Sequence, residues 1–195
     1  VNYTLTEFRA ILRRLYMNLP NKLTVARVIA VPFFILAFMT NHFLTAFVIF
    51  ILASLTDMLD GKIPRKYNLV TNFGKIMDPL ADKILVYSAF CLLITTGAVP
   101  AWMLIIILAR EFTISGMRMV AAAEGIVIAA GLTGKIKTVL QMIAVPLLLL
   151  VETISNEKLL GPFELLANIF LWASLIMTVW SGIEYVLKNR KVFSM

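Results

Sequence analysis

Cysteine and histidine are almost absent from this chain. Its 195 residues include one cysteine, Cys91, and one histidine, His42. A single cysteine excludes a disulfide within the chain, and Cys91, set in an apolar run, is expected to be a buried, inert thiol. Acidic residues are also few, 11 against 18 Lys and Arg, for a net charge of +7. That excess would suit nucleic acid, but the basic residues are spread as clusters between apolar blocks, which favours a membrane surface. No internal repeat and no low-complexity segment is visible. The first apolar block is long and lacks a small-residue cleavage site, so no cleavable signal peptide is expected.

What is abundant is apolar sequence. The chain is 61% hydrophobic, with a mean hydropathy of +0.91, where soluble domains sit near ~45–50% apolar. The excess lies in long blocks, the pattern of a polytopic membrane protein. In lipid, backbone polar groups must be satisfied internally, so helices or a closed barrel are the options. These blocks are longer than barrel strands and do not alternate, so an all-α fold is expected. Six spans are predicted, at about Leu23–Met39, Leu44–Leu59, Ile76–Thr95, Ala101–Ala123, Ile136–Thr153 and Phe163–Leu187. Each approaches the ~20 residues needed to cross about 30 Å of hydrocarbon.

Basic and non-basic connections alternate. Arg9, Arg13, Arg14 and Lys22 precede the first span, Lys62, Arg65, Lys66 and Lys75 join the second to the third, and Arg118, Lys135 and Lys137 surround the fourth connection. "TNHF" (40–43) and "TGAVP" (96–100) have no basic residue, and "ETISNEKLLGP" (152–162) has only Lys158. The tail carries Lys188, Arg190 and Lys191. Both termini are therefore expected in the cytoplasm. Residues 1–16 place Leu5, Phe8, Leu12 and Leu15 at helical spacing beside three arginines. They read as an amphipathic interfacial helix or as an extension before a start at Met17, with one membrane domain over 17–195.

The chemistry concentrates in "DMLDGKIPRKYNLVTNFGKIMDPLAD" (57–82). Asp57 and Asp60 are three apart at the end of the second span, and Asp78 and Asp82 are four apart near the start of the third. Residues three and four apart share a helix face. An intervening turn makes the two helices antiparallel neighbours, so four carboxylates can converge. Such a cluster repels itself unless a cation relieves it. All-oxygen ligation suits Mg²⁺ or Mn²⁺, and the lack of nearby Cys or His argues against zinc. Lys62, Arg65, Lys66 and Lys75 prepare the stretch for anions, and Gly61 and Gly74 remove side chains where a substrate backbone could approach. A solvated loop of aspartates paired with lysines would account for one or two carboxylates. It accounts poorly for two helical pairs at membrane ends, where ionisable groups are functional by default.

This stretch resembles the signature of the CDP-alcohol phosphatidyltransferases. Asp57, Asp60-Gly61, Arg65, Gly74, Asp78 and Asp82 all stand at the spacings of that pattern. One position departs, Pro64 replacing the family's alanine. Proline costs ~3 kcal/mol in a helix interior, so a kink or an end to the second span is expected there. The resemblance implies transfer of a phosphatidyl group from a CDP-linked lipid to an alcohol, with release of CMP. It implies that Asp57, Asp60 and Asp78 are metal ligands, and that Asp82 is the general base and also touches a second Mg²⁺ or Mn²⁺. It further implies that Asp60, Gly61, Arg65 and Gly74 line the CDP site, and that the protein is a homodimer.

For the acceptor, Arg110 and Glu111 sit inside the fourth span, where isolated charges are costly. Arg118 follows two turns later, and "GKIKT" (134–138) brings Lys135 and Lys137 to the start of the fifth span. Arg110, Arg118, Lys135 and Lys137 are candidates to hold a phosphate on the acceptor. An adjacent Arg110–Glu111 ion pair, and positive-inside anchoring by the two lysines, are the plainer alternatives. "PNKLTVAR" (20–27), "AREFTISGMR" (109–118), "GKIKT" and "SGIEY" (181–185) are similar to bacterial members of the family that use glycerol 3-phosphate. That similarity implies CDP-diacylglycerol and glycerol 3-phosphate as substrates, phosphatidylglycerol phosphate as product, and a multi-pass place in the bacterial inner membrane with the site on the cytoplasmic side. Phosphatidylglycerol, serine or an inositol phosphate are the rival acceptors. A divalent-cation transporter is the rival class, disfavoured because the acids lie near one face and no repeat is present. His42 is expected in a solvated outer loop, Trp102 at the outer interface, and Trp172 and Trp180 against lipid or helices.

Overall fold

The computed structural model describes residues 19–60, 72–129, 131–154 and 156–190. Among them it is all-helical, with no strand. The helices are α1 (Leu19–Met39), α2 (Phe43–Asp60), α3 (Asn72–Thr95), α4 (Ala101–Ala123), α5 (Leu132–Val151) and α6 (Glu157–Lys188). Each apolar block of the sequence lies within one helix, except that the fifth runs two residues past the end of α5 at Val151, and α4 has the expected bounds. Other helices begin earlier than hydropathy suggests because the helical backbone continues into polar residues. α6, for example, starts six residues before Phe163. The Asn156 side chain accepts the Lys158 N–H at 3.0 Å there, capping that start. The segment 1–16 lies outside the described residues, as do Gly61, Lys62, Pro64, Arg65 and Lys66.

α5 and α6 form the most extensive pair. α1 packs on both α2 and α3, α4 packs on α6, and α5 also meets α2 and α3. α2 and α3 touch only narrowly. The two aspartate-bearing helices are thus in direct contact, and α1 packs more extensively on each of them. Arg27 of α1 donates through Nε to the Ala53 carbonyl of α2 at 3.3 Å.

One half of the bundle is an apolar core. Phe34, Phe50, Phe90, Leu93, Met103, Ile107, Leu149 and Leu171 are buried there. Phe34 lies 6.1 Å from Phe50 and 6.4 Å from Phe38, ring centre to ring centre, and Phe38 meets Phe43 edge-on at 5.1 Å. Offset and edge contacts of this kind are the favoured aromatic geometries. Along α6, buried Ser174, Thr178 and Ser181 donate back to carbonyls of their own helix, which satisfies hydroxyls away from water.

The outer surface is apolar as well. Phe33, Leu36, Ile105, Phe112, Leu165, Ile176 and Ile183 are all more than half exposed. Contiguous apolar surface on this scale marks contact with lipid or a partner. α5 and residues Lys158–Lys188 of α6 are long and apolar enough to cross a membrane. α4 is of similar length but carries Arg110, Glu111 and Arg118 within it. Cys91 corrects one expectation: it is exposed on α3, not buried. In a bundle whose outside is as apolar as its inside, an apolar run does not tell which face of a helix looks inward.

Candidate functional site

The four aspartates occupy the expected helix positions. Asp57 and Asp60 lie in the last turn of α2, and Gly74, Asp78 and Asp82 in the first three turns of α3. Their side chains lie outside the described residues, as does the rest of the CDP signature at Gly61 and Arg65. The backbone register keeps each pair on one face of its helix. An all-carboxylate donor set of this kind fits a hard divalent cation. Among the described residues no group of three His, Cys, Asp or Glu is placed to hold a metal ion.

Immediately after Asp82, the described side chains build a basic cavity of about 760 Å³. Its walls come from α4, α5, α6 and the connection between α4 and α5, with Lys83 contributed by α3. Arg110, Arg118, Lys135 and Lys137, the four candidates for an acceptor phosphate, all line it. Lys83 and Lys188 add two more cations, against the two carboxylates Glu111 and Glu184. A cavity so biased attracts anions, and its partly apolar walls strengthen that attraction.

Helix periodicity explains the convergence. On α6, Ser181, Glu184, Tyr185 and Lys188 follow the i, i+3, i+4, i+7 pattern of one face. On α5, Gly134, Lys137 and Gln141 do the same, with Lys137 and Gln141 buried. Arg110 is fixed most firmly. Its Nη1 donates to Glu111 Oε1 at 2.7 Å and its Nη2 to the Ser181 hydroxyl at 3.1 Å. Two glycines make room for it. A Cβ at Gly134 would lie 3.2 Å from Arg110 Nη2, and one at Gly182 would lie 3.0 Å from Arg110 Cγ. Arg118 donates through Nε to the Tyr185 hydroxyl at 3.0 Å, and its guanidinium sits 5.4 Å from that ring's centre. At the rim, Glu184 accepts from Thr133 at 2.7 Å and from Lys188 at 2.5 Å, fastening α5 to α6.

Glu111 is the most heavily used side chain. Besides Arg110, it accepts from Lys137 on Oε1 and pairs with Lys83 on Oε2 at 3.3 Å. Lys83 also donates to Ser115 at 3.2 Å. A second cavity of about 220 Å³ adjoins the first and shares Lys83, Glu111 and Lys137 with it, adding Tyr87 and Gln141. The adjacent Arg110–Glu111 pair therefore exists, but as one edge of a network spanning three helices. Sequence reasoning missed Lys83, Ser181, Glu184, Tyr185 and Lys188 as parts of this cavity. The polar i, i+3, i+4, i+7 face at the end of α6, on an otherwise apolar helix, was the available signal.

The residues set aside as structural are placed consistently with that. His42 is exposed in the α1–α2 turn beside the Thr40 hydroxyl at 3.0 Å. Trp102 and Trp172 are about half exposed, with ring centres 5.8 Å apart, and Trp180 is more exposed still.

Residues 17–180 match the family described as CDP-alcohol phosphatidyltransferase. The chain belongs to that family. Among curated relatives, it is 44% identical over 187 residues to the CDP-diacylglycerol–glycerol-3-phosphate 3-phosphatidyltransferase of Bacillus subtilis (strain 168), covering 88% of this chain and 95% of the relative. A protein of the same name from Rickettsia bellii is 41% identical, covering 90% of this chain and 97% of its own. One from Haemophilus influenzae is 37% identical, covering 87% and 91% respectively. A CDP-alcohol phosphatidyltransferase must hold a nucleotide pyrophosphate and an alcohol side by side. In this family member the signature aspartates of α3 run directly into Lys83, and hence into the wall of the basic cavity.

Proposed function

We propose that this chain transfers the phosphatidyl group of CDP-diacylglycerol to glycerol 3-phosphate, giving phosphatidylglycerol phosphate and CMP. The observation that carries the reading is the convergence of Arg110, Arg118, Lys135 and Lys137 on one cavity that begins at the residue after Asp82. The names of the relatives, over nearly the whole chain, point to the same substrates. An acceptor bearing a phosphate dianion matches a cavity with six cationic groups and two carboxylates. Serine, with no phosphate, would leave most of that charge unused.

In the reaction, a hydroxyl of glycerol 3-phosphate attacks the β-phosphorus of the CDP-lipid. A P–O bond forms, the bond from that phosphorus to the bridging oxygen breaks, and CMP leaves with the electron pair. Asp82 takes the hydroxyl proton. Arg110, Arg118, Lys135 and Lys137 hold the acceptor phosphate, so that the attack is made by an oriented, effectively intramolecular nucleophile. Asp60, Gly61, Arg65 and Gly74 line the CDP site. Asp57, Asp60, Asp78 and Asp82 would hold two Mg²⁺ or Mn²⁺ ions, which neutralise charge developing on the leaving CMP.

The same reading makes 17–195 one membrane domain of six spans in the bacterial inner membrane, with both termini and the site on the cytoplasmic side. Residues 1–16 would form an interfacial helix or an extension, and two copies would form the working unit. Alternation of basic and non-basic connections supports the orientation. The test is CMP release from CDP-diacylglycerol with each candidate acceptor, with Mg²⁺ and with chelator. Metal-dependent release with glycerol 3-phosphate is expected. Release with serine or phosphatidylglycerol but not glycerol 3-phosphate would overturn the acceptor assignment.

A further inference from the structure

We propose that Glu111 is the positioning residue of the acceptor site: its buried carboxylate holds the Arg110 guanidinium and the Lys137 ammonium where an acceptor phosphate meets them, and ties both to Lys83 beside Asp82. The inference rests on the reading of the basic cavity as the acceptor site.

Glu111 is 8% exposed, and the three cations it holds come from α3, α4 and α5. Each carboxylate oxygen has capacity for two donors. Oε1 takes Arg110 and Lys137, and Oε2 takes Lys83. Without that charge, three cations would face one another, and Lys137, 5% exposed, would be a buried ammonium without a counter-charge. Losing one member of a buried ionic set is costly for this reason.

The carboxylate leaves donor capacity for a ligand. Arg110 Nη2 meets only the neutral Ser181 hydroxyl, and its Nε is buried with no partner among the described residues. Gly134 and Gly182, having no side chain, leave the space in which the Arg110 side chain lies. Arg118 is held by a neutral phenol. Arg110 is therefore anchored along one edge, with its remaining donors uncommitted to any other acid. The chain of contacts also reaches Lys83, the residue next to Asp82, so that one carboxylate sets the spacing between the acceptor pocket and the base.

Two accounts of Glu111 predict opposite signs. As a mere negative charge in the wall, it weakens phosphate binding, and its removal lowers KM for glycerol 3-phosphate. As a positioning residue, it strengthens binding, and its removal raises that KM.

The experiment measures CMP release by the detergent-solubilised full chain, against glycerol 3-phosphate at saturating CDP-diacylglycerol and Mg²⁺. Glu111→Gln should raise KM for glycerol 3-phosphate about tenfold or more, while KM for CDP-diacylglycerol stays within about twofold. Glu111→Asp, which keeps the charge on a shorter arm, should fall between the two, and it decides the matter if the Gln variant does not fold. A KM for glycerol 3-phosphate that falls, or that stays put while only kcat or thermal stability drops, overturns the positioning role. Arg118→Ala and Lys135→Ala are measured alongside. If they raise that KM and Glu111→Gln does not, the inference fails and the acceptor site stands. If none of the three moves it, the acceptor-site reading fails, and the inference with it.

Discussion

The two halves of the bundle are held together by different means. Around the 40–42 and 96–100 turns, cohesion comes from many interchangeable apolar contacts among Phe34, Phe38, Phe50, Phe90, Leu93 and Met103. Around the basic cavity, one carboxylate links three helices beside a separate small apolar cluster of Ile114, Met117 and Tyr185. A dispersed core tolerates a change at one position in proportion to the volume lost. A node concentrates the consequence on one residue. From this difference we expect a change in the apolar half to act on stability and a change at the node to act on the cavity.

The largest effect expected lies on the polar side. Asp82→Asn, or removal of divalent metal with chelator, should lower CMP release by about 10²–10⁴-fold, the range for losing a positioned acid–base group. Thermal unfolding in detergent should be little changed by Asp82→Asn. Unchanged turnover would remove Asp82 from the base role. On the apolar side, Phe50→Ala should cost about 3–5 kcal/mol of stability, read as a lowered Tm, while KM for glycerol 3-phosphate of the folded fraction stays put. A shifted KM there would mean that the halves are coupled.

Arg118→Ala should raise KM for glycerol 3-phosphate about tenfold, the order of one charge-assisted contact, with KM for CDP-diacylglycerol unaltered. Gly182→Ala is smaller, because the new Cβ, 3.0 Å from Arg110 Cγ, meets a flexible side chain. A rise of about two- to fivefold in the same KM is expected from tilting that guanidinium. Smallest of all, Cys91→Ser on the exposed face of α3 should leave both Tm and turnover within error, since surface substitutions away from packed or polar features cost within about 0.5 kcal/mol.

Much of this was legible because long apolar helices write their own pattern. An apolar block too long and too uniform for a barrel strand satisfies its backbone internally as a helix, so the block boundaries of the sequence fall close to helix boundaries. α4 is identified from Ala101 to Ala123, whereas α1 and α3 begin four residues before their apolar blocks. The aspartate spacing was likewise local information, since i, i+3 and i, i+4 relations need only a helix. What failed was inference about faces. Cys91 was placed inside because its neighbours are apolar, yet apolar neighbours surround it on the outside too. Glu111 showed in sequence as a neighbour of Arg110 alone, because Lys83 and Lys137 are remote in the chain and only packing brings them to it.

The sequence by itself therefore determined the helices, the register of the acidic pairs and the family, all of which follow from spacing along one chain. Tertiary structure decided that α2 and α3 each pack more extensively on α1 than on one another, and that cations from α3, α4, α5 and α6 share one cavity around Glu111. The physical reason is that a charge buried at an interface is stable only where partners from other helices meet it, and that meeting is a property of packing, not of periodicity.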